Sequence, residues 1–159
     1  MNTATGDLYD RYGEKLQVLT PMFNDYGGLR SFCGVIATVK VHEDNSLVRA
    51  ALEEPGQGRV LVIDGGGSLH CALVGDQLAL LARRNGWSGM LVYGCIRDSA
   101  TIARIGIGLK AMNTNPRKSV KKGFGERDIA VSFGGVTFTP GAYLYADSDG
   151  VLVADERLA

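Results

Sequence analysis

The chain has little of several features that would mark a class of protein at once. Its 17 basic and 17 acidic residues leave a formal net charge of zero, so composition gives no attraction to nucleic acid or to an anionic membrane. No run of 18 apolar residues occurs, which excludes a transmembrane helix. The first ten residues lack the apolar stretch of a secretory signal. We therefore expect a cytoplasmic protein with no membrane and no direct nucleic-acid partner.

Cysteine and histidine are also scarce. Cys33, Cys71 and Cys95 are odd in number and widely spaced, which argues against a disulfide framework and a zinc site. His42 and His70 are the only histidines, and neither belongs to a pattern typical of zinc or Ser-His-Asp chemistry. With 159 residues, 45% apolar and 21% charged, the chain is long enough to bury roughly 70% of its unfolded surface. We expect one domain over residues 1–159.

The apolar pattern predicts an α/β fold. Continuous apolar runs predict buried strands at Arg59–Asp64 and Met90–Tyr93, and Leu69–Asn85 between them alternates at helical period. Residues 113–127 are polar and predict a long loop. The remaining predictions are helices at Thr5–Tyr12, Leu47–Glu54 and Ser99–Ile105, and strands at Ser31–Val41, Gly108–Met112, Ile129–Phe133, Val136–Phe138, Tyr143–Ala146 and Val151–Ala154. A central βαβ-containing core with a β-rich C-terminal third is expected.

Three charged residues stand out in this pattern: Asp76, and then Arg97 and Asp98 after twenty intervening residues. If the helix begins near Gly75, Asp76 lies at its start, and Arg97-Asp98 follows the next strand. In a right-handed βαβ unit both places lie at the carboxyl edge of the sheet, where ligands bind. Carboxylates bind hard metal ions, and a guanidinium binds oxygen-rich anions. We therefore expect a ligand site at this edge.

The start of the helix adds donors to the same edge. The backbone N–H groups of Gln77 and Leu78 would point into it, and the helix dipole favours an anion there. A small carboxylate could be held by these amides, with Arg97 on a second oxygen and Asp98 on a metal.

Each of the three residues also has an ordinary structural interpretation. Asp76 is typical of a helix cap or first turn, Asp98 could cap the short helix after it, and Arg97 could form a salt bridge with either. The spacing alone leaves both interpretations open.

Two other motifs have simpler structural explanations. Gly65-Gly66-Gly67-Ser68 is similar to a phosphate loop but lacks GxGxxG and GKS/GKT, so a tight turn or a subunit contact is favoured. The basic cluster Arg117, Lys118, Lys121 and Lys122 could contact RNA or an acidic substrate, but a solvated loop is favoured.

Two further residue types could take part in catalysis. His70 could line a site, but a surface histidine is favoured. A Schiff-base mechanism needs a buried lysine of lowered pKa; Lys40 and Lys110 are conceivable, yet neither is expected near the edge that carries Asp98.

Three segments resemble the RraA-like family, which contains the regulators of ribonuclease activity A and the 4-hydroxy-4-methyl-2-oxoglutarate aldolases: RVLVIDGGGSLHCALVGDQLA, GMLVYGCIRD and DIAVSFGGVTFTPGAYLYADSDGVLVA. The resemblance covers nearly the whole chain and implies a swivelling β/β/α-type fold. The family's aldolases are similar to this chain at D-x20-R-D, whereas the regulators tend to lose the final aspartate, which is present here as Asp98. The resemblance therefore favours an aldolase-type member.

This resemblance implies roles for individual residues. Gly75, Asp76, Gln77 and Leu78 would line the substrate carboxylate, Arg97 and Asp76 would be catalytic with Arg97 touching the substrate, and Asp98 would bind a divalent metal, Mg²⁺ or Mn²⁺. The reaction implied is class II cleavage of 4-hydroxy-4-methyl-2-oxoglutarate to two pyruvates, with oxaloacetate decarboxylation through the same pyruvate enolate.

The resemblance also implies partners. The substrate would be a small 2-oxo acid, and the assembly a homotrimer or a dimer of trimers. The alternative is a non-catalytic regulator that binds and inhibits a ribonuclease of the ribonuclease E type. Longer aldolases of the family bring an acidic residue from a neighbouring subunit to the metal; whether Asp155-Glu156, or Asp147 and Asp149, replace it here is left open.

Overall fold

A computed structural model describes residues 3–159 and contains four α-helices and twelve strands in that range. The helices are α1 (Thr5–Tyr12), α2 (Ser46–Leu52), α3 (Asp76–Arg84) and α4 (Ser99–Ile102), with a 3-10 turn at Gly13–Lys15. The strands are β1 (Leu16–Val18), β2 (Asn24–Asp25), β3 (Phe32–Lys40), β4 (Val60–Asp64), β5 (Ala72–Val74), β6 (Gly89–Ile96), β7 (Gly108–Thr114), β8 (Glu126–Arg127), β9 (Val131–Phe133), β10 (Val136–Phe138), β11 (Tyr143–Asp147) and β12 (Gly150–Ala154). None of the described helices is long and apolar enough to cross a membrane.

A mixed sheet of ten strands forms the centre of the molecule. Its order is β1-β12-β11-β3-β4-β6-β7-β2, with β5 paired to β6 and β8 paired to β3. The pairs β3–β4, β4–β6 and β6–β7 are parallel, while β11 and β12 join the sheet antiparallel. This is the expected α/β core with a β-rich C-terminal third.

The central strands are covered on both faces. In β4, Leu61 and Ile63 pack with side chains of α2 and α3, whereas Val60 and Val62 pack with the hairpin β9–β10. A strand buried on both faces has to be apolar at every position, which explains the continuous run of the sequence here. The layers are therefore helices, sheet and hairpin, and the β/β/α prediction is confirmed.

The predicted helix Leu69–Asn85 is wrong in its first part. Ala72–Val74 is a strand, β5, that pairs in parallel with the end of β6 opposite Cys95 and Ile96, and the helix begins only at Asp76. The buried apolar run before Gly75 fits a strand better than a helix, because every side chain in it is covered. The sequence pattern also gave no sign of β1 and β2, and β8 lies in the segment predicted as loop.

Candidate active site at the carboxyl edge of the sheet

The pairing of β5 with β6 places the predicted site residues side by side. The backbone N–H of Arg97 donates to the carbonyl oxygen of Val74 at 2.9 Å, so the residues that follow the two strands are neighbours. A second hydrogen bond joins the same two segments further on, where Oδ2 of Asp98 accepts from the backbone N–H of Asp76 at 3.0 Å. These hydrogen bonds join the start of α3 to the end of β6.

Gly75 makes this close approach feasible. Its backbone is extended, with φ −121° and ψ −168°, a conformation that any residue can adopt. A Cβ at this position, however, would lie 2.7 Å from Oδ2 of Asp98 and 3.5 Å from Nε of Arg97. The absence of a side chain at Gly75, and not its backbone angle, therefore leaves room for the Asp98 carboxylate, which would have to shift to admit a Cβ.

Asp98 has an unusual backbone conformation. Its φ of 59° and ψ of 38° lie in the left-handed region, which costs a non-glycine residue about 1–2 kcal/mol but is tolerated best by aspartate and asparagine. It precedes α4, yet its side chain makes no capping hydrogen bond to α4. The interpretation that Asp98 caps its own helix is wrong, because its carboxylate binds the first N–H of α3 instead.

The charged groups of the site do not neutralise one another. Among residues 3–159, Arg97 forms no ion pair with Asp76 or Asp98, and its guanidinium makes one long hydrogen bond, 3.4 Å from Nη1 to the carbonyl oxygen of Pro116. The carboxylate of Asp76 likewise has no partner in that range. A structural salt bridge therefore does not explain these residues.

All six predicted site residues line one cavity of about 160 Å³. This is below the ~300–1,000 Å³ of pockets for drug-sized ligands, so the cavity suits a small molecule. A second recess of about 290 Å³, which includes Thr114 and Asn115, shares Arg97 and Asp98 with it. The lining of the first cavity is Asn45, Arg49, Ala72, Gly75, Asp76, Gln77, Leu78, Arg97, Asp98, Lys118, Ser119 and Lys121.

Several lining residues were not predicted as site residues. Lys118 and Lys121 belong to the basic cluster for which the sequence favours a solvated loop. Both are exposed, yet they form one wall of the cavity. Arg49 on α2 adds another cation. The sequence does contain a signal for this wall, namely the cluster of basic residues, since a cluster of this kind can contact an acidic substrate.

A buried carboxylate, Asp44, joins the loop that carries Lys118 and Lys121 to the start of α2, the helix that carries Arg49. It accepts hydrogen bonds from the backbone N–H groups of Lys122 at 2.8 Å and Phe124 at 3.3 Å, and from the N–H and hydroxyl of Ser46 at 2.9 and 2.7 Å. Burial alone would raise the pKa of Asp44, but these hydrogen bonds outweigh it and lower the pKa to about 2. The basic loop is thereby fixed to the start of α2.

The glycine loop is a tight turn, as favoured from the sequence. The N–H groups of Gly65 and Gly67 both donate to the carbonyl oxygen of Tyr93 at 3.1 Å, and that of Gly66 donates to Oδ1 of Asp64 at 2.9 Å. A phosphate loop needs free N–H groups, and these three are already bound to the protein. The phosphate interpretation is therefore wrong.

His70 lies outside the cavity. Its side chain is exposed and its Nδ1 lies 2.9 Å from Oε2 of Glu43, which also accepts a hydrogen bond from the Ser68 hydroxyl at 2.6 Å. The hydrogen bonds from Ser68 and His70 lower the pKa of Glu43. The surface interpretation of His70 is confirmed.

The lysines considered for Schiff-base chemistry also lie outside the cavity. Lys110 is buried, and its Nζ forms an ion pair with Oδ1 of Asp25 at 2.9 Å. Lys40 is exposed beside Phe124 in a different surface recess. Neither faces Arg97 and Asp98, as expected.

The residues present suit a hard divalent cation. In the described part of the chain no group of three or more His, Cys, Asp or Glu side chains is placed to hold a metal, so a closed zinc-type site is not formed. Mg²⁺ is commonly bound through one or two carboxylates with waters and substrate oxygens as the other ligands. Asp98, whose Oδ1 has no protein partner within residues 3–159, and Asp76 meet that smaller requirement.

The fold and the cavity define a layered α/β protein with a small charged site at the carboxyl ends of its parallel strands. Comparison with known protein families identifies the family: the sequence model of the RraA-like family, described as Aldolase/RraA, matches residues 4–153. The chain belongs to the RraA-like family. The acidic residues Asp147, Asp149, Asp155 and Glu156 do not line the cavity within one chain.

Individual relatives in this family carry different names. A protein of Dechloromonas aromatica (strain RCB), 60% identical over 99% of both chains, is named "Putative 4-hydroxy-4-methyl-2-oxoglutarate aldolase". A solved structure from Geobacillus kaustophilus HTA426 has 53% identity and a TM-score of 0.96, covers 98% of this chain and 96% of its own, and is described as an S-adenosylmethionine: 2-dimethylmenaquinone methyltransferase. The RNA-processing inhibitor RraA from Thermus thermophilis has 44% identity and a TM-score of 0.96, with 100% and 96% coverage. One fold therefore carries three names, and function has to be argued from the site.

Proposed function

We propose that this chain is a divalent-metal-dependent, class II aldolase that cleaves 4-hydroxy-4-methyl-2-oxoglutarate into two molecules of pyruvate. The observation that carries the proposal is the cavity in which Asp76, Arg97 and Asp98 meet without forming ion pairs. A small number of polar or charged groups that converge on one cavity are typical of a ligand site. The substrate class comes from the relatives named as aldolases.

The start of α3 binds the carboxylate next to the keto group. The first helical hydrogen bond runs from the Ala79 N–H to the carbonyl oxygen of Gly75 at 3.1 Å, so the N–H groups of Gln77 and Leu78 have no acceptor within the helix. Together with the helix dipole they attract an anion. Gly75 lets this anion approach closely, because it carries no side chain.

Arg97 binds the keto oxygen of the substrate. When the C3–C4 bond breaks, the electron pair moves onto this oxygen and forms the enolate of pyruvate, and the guanidinium stabilises the growing negative charge. The 4-hydroxyl loses its proton to a water that the carboxylate of Asp76 orients, and the C4 half leaves as pyruvate. The enolate then takes a proton at C3 and becomes the second pyruvate.

Asp98 would hold the cation, Mg²⁺ or Mn²⁺, with Asp76 as the second carboxylate of the same cavity. The bound cation supplies Lewis-acid stabilisation of negative charge on the substrate oxygens. Oxaloacetate reaches the same enolate by losing carbon dioxide, so we propose decarboxylation of oxaloacetate as a second activity.

Pyruvate release from both substrates tests the proposal. We expect release that stops on chelation and returns with Mg²⁺, and Arg97→Ala should lower turnover by about 10²–10³, the scale of one lost oxyanion donor. Arg104→Ala is the matched control, since Arg104 is exposed and does not line the cavity. Chelator-resistant activity, or an imine on Lys118 or Lys121 trapped by borohydride, would replace the metal mechanism with a Schiff-base one.

A non-catalytic regulator is the second candidate, favoured by the 44% identity to the RNA-processing inhibitor. In that case the chain would bind a ribonuclease of the ribonuclease E type. Titration of such a ribonuclease with wild-type protein and Asp98→Ala separates the two: inhibition that is equal for both proteins supports a regulator that does not use the cavity.

We further propose that residues 1–159 form one domain that assembles as a homotrimer or a dimer of trimers in the cytoplasm. This assembly is the one that the resemblance to the family implies, and exposed Val18, Leu29 and Val35 offer apolar surface for a contact. Sedimentation equilibrium measures the mass of the assembly, and a monomer at all concentrations would contradict it.

A further inference from the structure

The lining of the cavity includes two buried polar atoms that lack hydrogen-bond partners within residues 3–159. Ser119 is 5% exposed and lines the cavity, and its hydroxyl makes no hydrogen bond in the described part of the chain. Oδ1 of Asn45, on the same cavity, is also buried without a donor. Buried polar groups nearly always have a partner, so the Ser119 hydroxyl is available to donate to an anionic ligand group, whereas Oδ1 of Asn45 can only accept a hydrogen bond.

The same lining carries positive charge that the proposed reaction leaves unused. In the proposed reaction Arg97 binds the keto oxygen of the substrate, and the N–H groups at the start of α3 bind the carboxylate next to it. Arg49, Lys118 and Lys121 remain, and none of them forms an ion pair within residues 3–159. The lining as a whole has four cationic side chains and two carboxylates, an excess of positive charge that suits a dianion.

The wall is also fixed in place before a ligand arrives. Val120 donates its N–H to the carbonyl oxygen of Glu43 at 3.0 Å, and Lys122 donates its N–H to Asp44 at 2.8 Å. These two hydrogen bonds fix the residues on both sides of Lys121, and the first of them is made by the residue that directly follows Ser119. A preorganised donor set binds more tightly because little ordering is needed on binding.

We propose that Ser119, Lys121 and Arg49 form a second anion subsite that binds the distal carboxylate of a dicarboxylic 2-oxo acid. The Ser119 hydroxyl donates to one carboxylate oxygen, and the two cations neutralise the charge. The subsite makes the cavity selective for 2-oxo acids with a second acidic group over those that end in a methyl group. This inference rests on the proposed function, which places the 2-oxo end at α3 and Arg97.

Two unreactive ligands test the selectivity directly. 2-Oxoglutarate and 2-oxopentanoate have the same chain length and the same 2-oxo acid end, and they differ in whether the far end is a carboxylate or a methyl group. Calorimetric titration of the wild-type protein in saturating Mg²⁺ should show at least about tenfold tighter binding of 2-oxoglutarate, since a charge-assisted hydrogen bond contributes on that scale.

Matched variants locate the effect. Ser119→Ala removes only the unpartnered hydroxyl, so we expect unfolding to be unchanged while binding of 2-oxoglutarate weakens about fivefold to tenfold and binding of 2-oxopentanoate stays the same. Lys121→Met should reduce the same preference, and Lys122→Met is its control, because Lys122 is a neighbouring exposed lysine that does not line the cavity.

The outcomes separate this inference from the proposed function. Equal binding of both ligands by the wild-type protein, or an unchanged preference in both Ser119→Ala and Lys121→Met, overturns the subsite while the 2-oxo acid site stands. If neither ligand binds, the proposed function fails and the subsite fails with it. A preference for 2-oxoglutarate that Ser119→Ala and Lys121→Met lower and Lys122→Met keeps supports the subsite.

Discussion

The carboxylate of Asp98 accepts a hydrogen bond from the backbone N–H of Asp76 at 3.0 Å. This one contact joins the end of β6 to the start of α3, and it uses only Oδ2 of Asp98. The other oxygen, Oδ1, and the whole carboxylate of Asp76 have no protein partner within residues 3–159. Asp98 therefore has a structural contact and an unused ligand atom, and two substitutions can separate them.

Asp98→Asn keeps an acceptor for the Asp76 N–H and loses the negative charge, whereas Asp98→Ala loses both. We expect both variants to lose Mg²⁺-dependent pyruvate release. Only Asp98→Ala should also lose about 1 kcal/mol of unfolding free energy, the usual cost of a lost helix cap. Urea unfolding and a coupled pyruvate assay measure the two effects, and Asp10→Asn, an exposed acid on α1, is the control. Full activity in Asp98→Asn would remove this aspartate from the metal site.

Gly75→Ala tests the spacing of the site. The new Cβ would lie 2.7 Å from Oδ2 of Asp98, so the carboxylate has to move away from α3, while the extended backbone at Gly75 accepts alanine without strain. We expect a drop of tenfold or more in kcat/KM, on the order that small displacements in an active site produce, with the fold retained. Kinetics and circular dichroism are the measurements.

The control for that variant is Gly6→Ala. No heavy atom lies within 4 Å of a Cβ built at Gly6, and alanine favours helix at this position in α1. Unchanged kinetics in Gly75→Ala would show that Asp98 can shift without loss and that its contact with Asp76 is dispensable.

The position of the site at this edge of the sheet could be predicted from the sequence, because it follows from the directions of the strands. Two buried apolar runs with a helix between them fix a right-handed βαβ unit, and this places Asp76 and Arg97 at one edge whatever the details between them. The error over residues 69–75 did not disturb this result, because β5 is parallel to β6 and delivers the chain to the same edge.

The second wall of the cavity could not be predicted in this way. Ser119 and Lys121 lie in a segment without apolar periodicity, and their position depends on hydrogen bonds from backbone N–H groups to Asp44, which is far away in sequence. No local pattern encodes such a contact. In the sequence Arg49 is likewise indistinguishable from an ordinary helix-surface residue. Only the packing of α2 beside the loop places it in the lining of the cavity.

A buried ion pair lies away from the cavity, and it is expected to matter for stability alone. Nζ of Lys110 lies 2.9 Å from Oδ1 of Asp25, and the two side chains are 4% and 12% exposed. Lys110→Met leaves Asp25 charged and largely buried, with only the longer 3.4 Å contact to Arg30, which should cost about 3 kcal/mol of unfolding free energy, the low end of the range for a broken buried pair. Arg30→Met, which removes the 64% exposed partner of the same carboxylate, should cost no more than about 1 kcal/mol. Chemical unfolding compares them, and equal losses would contradict the buried pair.

Asp44 predicts how stability depends on pH. Burial on its own would raise the pKa of this carboxyl group, but hydrogen bonds from Ser46, Lys122 and Phe124 lower it from 3.8 to about 2. A group whose pKa is lower in the folded state stabilises that state above its unfolded pKa, and the contribution is lost as the pH falls through the folded pKa. For Asp44 this contribution is on the order of 2 kcal/mol, fully present near neutral pH and lost between about pH 4 and pH 2.

Asp44→Asn removes this titration while keeping the size of the side chain. The difference in unfolding free energy between wild type and variant should be constant above about pH 5 and should shrink as the pH is lowered toward 2. The same variant frees the segment that carries Ser119 and Lys121, so the binding of 2-oxoglutarate should weaken at neutral pH although Asp44 does not line the cavity. Urea unfolding across this pH range and calorimetry at neutral pH measure both effects. A difference that is independent of pH would show that the hydrogen bonds of Asp44 do not depend on its charge.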